Sequence, residues 1–461
     1  MIGLACTLIS ALGFFLSMGL GGQWALAWVA PAPVLWLAFS DRPRSAPWAA
    51  FGAYAIGGAS YLEAYSGVMP PGVLALIIGS PALLFATAVG GAGLVYRRLG
   101  PVWGILTFPV LWSAFDFLLA FNRGGGAATS PAVSQVDAPM LAQSAAYVGF
   151  IGITFLLGLV SAALAGAVRE RKLAFALLAV AVFGLNAGLG FWRMSEPQTN
   201  ALRVALIASN EAAGSVHSDD EGAALGAINA YAAQIARLDG ARPDLIVLPE
   251  NIALIAPAWR GAAQALLASQ AQRLHATLVA GFNTPIDGAE RNVAWAFGSS
   301  ANPVVYQKRR LVLGLETRYY TPGAGPAVLP NGIGLEICKD MDFPGMIRSD
   351  ASLQHPLLWA VPAWDFGADG WAHARVAILR SIENGVPMAR AARDGWLSLN
   401  DGYGRVAGRV EVRQGFATLV GEAALGSRTP TFYNRIGDLF GWLCVALGAA
   451  LMGWARISRR R

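Results

Sequence analysis

Long apolar runs and short alternating ones divide this chain of 461 residues. A helix needs about 17 to 25 apolar residues to cross a bilayer. Runs of that kind occur at 3–20, 23–40, 47–66, 71–95, 101–121, 140–167 and 173–192, and once more at 438–455. From Leu202 the pattern changes to short β-like runs: Leu202–Ala208, Asp244–Leu248, Thr277–Phe282, Asn292–Phe297, Ile333–Cys338, Leu357–Val361 and Pro387–Ala391. Amphipathic stretches at 219–238, 258–275 and 370–384 lie between them. The expected organisation is a multi-pass α-helical membrane domain over 1–193 with about seven helices, an α/β layered domain over 194–435, and a last transmembrane helix with a basic tail over 436–461.

Composition sharpens this division. The chain is 55% hydrophobic and 13% charged, too apolar for a soluble protein of its length. Only about 13 of the 34 Lys/Arg and 28 Asp/Glu residues precede residue 193. The basic loops are Asp41-Arg42-Pro43-Arg44, Arg97-Arg98, Arg169-Glu170-Arg171-Lys172 and the tail Arg456–Arg461. A cytoplasmic N-terminus puts all four on the cytoplasmic side, as the positive-inside rule requires. The α/β domain is then extracytoplasmic, in the periplasm of a Gram-negative inner membrane. The net charge of +6 reads as topology, so no nucleic acid partner is expected. The first run lacks an early charge cluster and a small-residue cleavage site, which predicts a retained anchor. The polar linker Met194–Asn200 and the exit Tyr433–Asp438 tether the α/β domain at both ends, which is expected to hold it near the bilayer.

Glu63 and Asp116 are carboxylates inside predicted spans, and such residues are functional candidates by default. Pairing within the helix bundle, or reaching to the interface, is the alternative for both. Of the three cysteines, Cys6 and Cys444 lie in apolar spans and Cys338 does not. Their spacing fits neither a metal site nor a disulfide framework. Gly124-Gly125-Gly126 reads as a flexible external loop rather than a nucleotide loop, and no cofactor is implied.

Three chemical groups each follow a strand-like run: Glu250 after Asp244–Leu248, Lys308 in Tyr306-Gln307-Lys308-Arg309, and Cys338 at the end of Gly334-Leu335-Glu336-Ile337-Cys338-Lys339-Asp340. A cysteine thiol is mostly protonated at neutral pH and needs a base or a cation to become a nucleophile. Glu250 can supply the base, and Lys308 can stabilise a thiolate and an oxyanion. Singly, each has a bland reading as a turn, a solvated face or an inert buried thiol. The histidines His217, His275, His355 and His373 lack metal spacing, while His355 and His373 keep a Cys–His dyad open as an alternative. Trp359, Trp364 and Trp371 are core residues or lie near the mouth of a site.

The segments Leu248-Pro249-Glu250, Tyr306-Gln307-Lys308-Arg309-Arg310-Leu311-Val312 and Gly334–Asp340 resemble the three signatures of the nitrilase, or carbon-nitrogen hydrolase, superfamily. That resemblance implies an αββα sandwich and a Glu250–Lys308–Cys338 triad. With membrane spans on both sides, the chain is similar to the membrane branch of that superfamily, the apolipoprotein N-acyltransferases. Glu316, eight positions after Lys308, matches the supporting glutamate of that branch, and Arg428–Asp438 resembles its approach to the last helix. A surface ion pair with Arg318 is the other reading of Glu316. The resemblance implies acyl transfer from a membrane phospholipid through a Cys338 thioester to the α-amine of a diacylated lipoprotein. An amidase, or an acyltransferase for another amine such as an aminolipid, is the alternative, and a non-catalytic lipid-binding protein the third. The chain departs from the family in Lys339-Asp340, where Tyr-Glu, or Tyr-Asp in soluble members, is usual, and in Val361-Pro362-Ala363-Trp364-Asp365-Phe366, where Asn-Asp-x-Trp-Phe is usual. Asp340 is therefore a supporting candidate, and Lys339 a second ammonium that would lower the thiol pKa if it stood beside Cys338.

Overall fold

The computed structural model describes the chain except residues 41–43, 122–123, 197–199, 215–218, 299, 301 and 459–461, so the basic residues at 42 and 459–461, part of the entry linker and His217 lie outside the described residues. Two units follow: Met1–Glu196 with Thr431–Arg461, and Pro197–Pro430.

The first unit is helical. Five of its described helices are long and apolar enough to cross a membrane: Pro71–Leu99, Pro101–Ala120, Phe150–Glu170, Leu173–Met194 and Leu439–Ile457. The other apolar runs are shorter or broken. Ile2–Ser17 has 16 residues. The 23–40 run is a tight turn at Trp24–Trp28 followed by the short helix Ala32–Ala38, because prolines at 31 and 33 lack the N–H that would continue a helix. The 47–66 run divides into Ala46–Gly57 and Ser60–Tyr65. Broken backbone away from water must find partners elsewhere. Gln135 supplies them: it accepts from Trp28 Nε1 at 2.8 Å and donates to the Trp24 carbonyl at 3.0 Å, and Ser161 donates to the Trp28 carbonyl at 2.7 Å. Asp116 is buried and accepts from Ser130 Oγ at 2.7 Å and Thr154 Oγ1 at 2.6 Å, the pairing within the bundle that was its alternative reading. Glu63 is exposed on the short Ser60–Tyr65 helix.

The second unit holds two six-stranded mixed sheets. The first contains β1 (Ala201–Ser209), β2 (Leu245–Val247), β3 (Thr277–Ile286), β4 (Ala289–Phe297) and β5 (Val304–Gln307) in that order. The second contains β6 (Ala327–Val328), β7 (Ile333–Leu335), β8 (Leu358–Trp364), β9 (Met388–Arg393), β10 (Trp396–Asn400) and β11 (Val406–Glu411), and β12 (Phe416–Ala424) returns to pair antiparallel with β1. The central strands β1-β2-β3 and β7-β8-β9 are parallel and are buried on both faces over most of their length, which is why most of their residues are apolar. Side chains alternate along each strand. Val204, Leu206, Leu245 and Val247 meet Leu335, Leu358, Ala360 and Ala389 between the sheets. Ala205, Ile207, Ile246 and Leu248 face outward under the helices Glu221–Ala236 and Arg260–Leu274. Helices Pro344–Gln354 and Gly370–Asn384 lie against the second sheet. The unit is thus an αββα sandwich.

Candidate active site

Glu250 leaves the carboxyl end of β2 through Pro249, and its own N–H donates to the Ala363 carbonyl at 3.2 Å, at the end of β8 in the facing sheet. Its backbone presses on β3 at Gly281. A Cβ there would stand 2.6 Å from the Glu250 Cα and 2.7 Å from the Pro249 carbonyl oxygen, so only glycine fits this crossing.

Lys308 directly follows β5, and its N–H is held by the Asn292 carbonyl of β4 at 2.8 Å. Its ammonium donates to Glu250 Oε1 at 2.7 Å and to Glu316 Oε1 at 2.8 Å. The Asn292 side-chain amide spans the same two carboxylates at 2.6 and 2.9 Å, and Glu316 Oε2 accepts from the Val312 N–H at 2.7 Å. All four residues are buried. Glu316 therefore pairs with Lys308 in the interior, not with Arg318 at the surface. Asn292 is a member that sequence reading placed only as the start of a strand.

Cys338 opens a 3-10 turn, Cys338–Asp342, just past β7. Its φ of +41° is uncommon for a residue with a side chain, and it turns the thiol toward the Trp364 carbonyl, 3.6 Å away at the end of β8. Asp340 fixes the turn. Its carboxylate accepts from the N–H groups of Ile337 (3.1 Å), Arg309 (3.2 Å) and Arg310 (2.8 Å) and from the Tyr306 hydroxyl at 2.8 Å. The cysteine turn and the segment carrying Lys308 are thereby tied to one carboxylate.

Burial sets the electrostatics. It raises the Glu250 carboxyl above its ordinary value; Lys308 opposes that rise and Glu316 adds to it. Burial alone would lower Lys308, but Glu250, Glu316 and Cys338 outweigh it and hold the ammonium well above the usual lysine range. The Cys338 thiol is pushed well up by burial and by Glu250, against the pull of Lys308. Burial thus keeps the thiol protonated beside a carboxylate whose proton affinity is raised, a pair suited to proton transfer from sulfur to Glu250 as the sulfur attacks. A standing thiolate is not what this environment favours.

Lys339 turns out not to serve the thiol. Its Nζ pairs with Asp342 at 3.1 Å, which corrects the expectation of a second ammonium beside Cys338. Trp359 is wholly buried in the core, Trp371 packs on Trp396, and Trp364 is half-buried with its ring against Arg393 at 3.9 Å. His275 and His355 are exposed caps after helices. His373, kept open by the sequence as a partner for Cys338, is the histidine that comes near it: a ring nitrogen of it, a carboxylate oxygen of Asp365 and Cys338 Sγ lie within 4.8 Å of one another. Both Asp365 oxygens accept from Arg390, at 3.0 and 2.5 Å, so this group is committed to ion pairing rather than open to a metal.

Comparison with known proteins bears on both units. Residues 10–163 match the family described as the apolipoprotein N-acyltransferase N-terminal domain. The chain is 28% identical to an apolipoprotein N-acyltransferase of Geobacter metallireducens, over 94% of this chain and 91% of that protein. It is 25% identical to one of Haemophilus ducreyi, over 92% of each. Among solved structures, a CN-hydrolase superfamily protein of Xanthomonas campestris aligns at 20% identity and a TM-score of 0.41, over 48% of this chain and 91% of its own. A nitrilase-superfamily amidase of Nesterenkonia aligns at 20% identity and a TM-score of 0.43, over 53% and 97%.

Proposed function

We propose that the chain is an apolipoprotein N-acyltransferase in which Glu250, Lys308 and Cys338 form the catalytic triad and move an acyl chain from a membrane phospholipid to the α-amine of a diacylglyceryl-cysteine lipoprotein. The observation that carries this reading is the buried Glu250–Lys308–Glu316 cluster, whose charges act on the Cys338 thiol.

In the first half-reaction Cys338 Sγ attacks the ester carbonyl carbon while its proton passes to Glu250. Lys308 keeps its charge and stabilises the developing oxyanion. The C–O bond breaks, and the lysophospholipid alkoxide leaves with the proton from Glu250. In the second half-reaction the lipoprotein amine attacks the thioester, Glu250 takes the amine proton, and the Cys338 thiol is regenerated as the amide leaves. Glu316 and Asn292 hold Glu250 and Lys308 in register, and Asp340 holds the cysteine turn. A cytoplasmic N-terminus, argued from the basic residues near Arg44, Arg97, Arg169 and Arg456, puts the sandwich on the periplasmic side.

The test is mass spectrometry of Cys338 in the full-length protein after incubation with phospholipid, followed by a diacylated lipopeptide. A thioester that forms and then discharges to the peptide amine supports the reading. A thioester lost only to water supports a hydrolase instead. Unchanged N-acylation by a folded Cys338→Ala variant removes the triad from the reaction.

A further inference from the structure

His373 sits on the first turn of the Gly370–Asn384 helix, and its ring is surrounded by carboxylates. Nε2 is 3.4 Å from Asp342 Oδ1, and Nδ1 is 3.3 Å from Asp365 Oδ1 and 3.8 Å from Asp369 Oδ2. All three aspartates are buried. Two further cations belong to the same cluster, Lys339 on Asp342 and Arg390 on Asp365. Three buried carboxylates within 4 Å of one ring favour its charged form. Both ring nitrogens face carboxylate oxygens, where a lone pair on either nitrogen would be repelled and a positive ring is attracted. Burial and the positive end of the helix oppose the charge. The carboxylates prevail and push the ring up to about 10.

We propose that His373 is a positioning residue, a permanently charged imidazolium that lies beside Cys338 Sγ and lowers the cost of negative charge on that sulfur. It acts through Cys338 and moves no proton. The thiol proton goes to Glu250, the S–C bond forms, the ester C–O bond breaks, and the imidazolium is unchanged throughout. The Cys–His dyad left open by the sequence is thereby turned round, with the histidine as a fixed cation instead of a base. The groups facing it are Cys338, Lys339 and Asp342 from the cysteine turn, Asp365 and Asp369 from the loop after β8, and Arg390 from β9. Glu250 and Lys308 act on the sulfur from the first sheet. This arrangement also gives Lys339 its part, since it holds Asp342 against the ring.

The inference rests on the reading of Cys338 as the nucleophile, but its test needs no phospholipid and so fails separately from acyl transfer. The chain has 4 histidines, so NMR of the full-length protein with labelled histidine in nanodiscs can follow each ring, with His373→Gln assigning the signal. The His373 ring should keep the imidazolium shift from pH 6 to about pH 9. A neutral ring at pH 7 overturns the proposal, and this measurement needs only the wild-type protein to be folded. The second readout is the rate of Cys338 alkylation by iodoacetamide against pH, read by mass spectrometry. In His373→Gln the profile should move up by about one pH unit, about tenfold slower at pH 7, with His373→Lys recovering most of the loss. An unmoved profile in folded His373→Gln, or no recovery with lysine, refutes it.

Discussion

Glu316→Gln tests whether Glu250 owes its strength as a base to a like charge across a shared ammonium. Glu250 and Glu316 bind the same Lys308 Nζ at 2.7 and 2.8 Å, and both are buried. Their oxygens are therefore within about 5.5 Å, where two like charges repel by about 3 kcal/mol at an effective dielectric of about 20. Glutamine keeps the shape and an oxygen for the Val312 N–H, but removes that repulsion. The sign follows directly: the Glu316 charge makes ionised Glu250 less favourable and raises its pKa, so the variant lowers it. A carboxylate weakened as a base should slow proton abstraction from sulfur by about tenfold at the plateau. The assay is single-turnover formation of the Cys338 thioester from phospholipid across pH, quenched and weighed as intact protein. The acid limb should move to lower pH, because Glu250 stays ionised further down, while the plateau falls. A limb that stays in place or moves up in a folded variant refutes either Glu250 as the base or Glu316 as its electrostatic partner. Lys308 remains protonated in either case, since Glu250 and Cys338 still face it.

Gly281→Ala puts a Cβ against the Glu250 backbone at 2.6 Å, with no flexible side chain to yield. It should cost about 1–3 kcal/mol by denaturant unfolding, and thioester formation should drop more than stability does; an unaffected rate would show that the crossing does not position Glu250. Asp340→Asn leaves a buried set of three N–H groups and the Tyr306 hydroxyl with an acceptor of reduced capacity. A loss of about 1–3 kcal/mol in thermal unfolding and a slower Cys338 reaction are expected. Asp116→Ala strands the Ser130 and Thr154 hydroxyls among helices and should lower stability by about 1–3 kcal/mol, with transfer per folded molecule unchanged. A variant that is stable but inactive would give Asp116 a direct part in the reaction.

How much of this was legible depended on whether a feature is local. The long apolar runs state their length in one stretch of sequence, but the break before Pro31 is accommodated by Gln135 and Ser161, which bond the Trp24 and Trp28 carbonyls from more than a hundred residues away. The parallel strands were readable because both faces are buried, whereas β10, β11 and β12 were not assigned. β11 and β12 are largely half-exposed, with Gly408, Gly421 and charged residues diluting the alternation. Glu250, Lys308 and Cys338 each stand just past a strand, so their order along the chain foreshadows their convergence at strand ends. Glu316 and Asp340 were reached through the family resemblance, whereas Asn292, inside a strand, had no such mark.

Lys339-Asp340 shows why adjacent residues cannot be assigned a common part. Asp340 faces back to Tyr306, Arg309 and Arg310 and ties the cysteine turn to the segment that carries Lys308. Lys339, one residue earlier, faces Asp342 and the His373 cluster on the other side of the sulfur. A 3-10 turn advances about 120° per residue, so neighbours in it point to different walls of the site. The two residues thus act separately. Lys339 supplies a cation that helps fix Asp342 against His373, and Asp340 keeps a carboxylate close to the backbone of its own turn. A double change of both residues should then be additive in its effects on the two walls, and only the change at Lys339 should alter the protonation of His373.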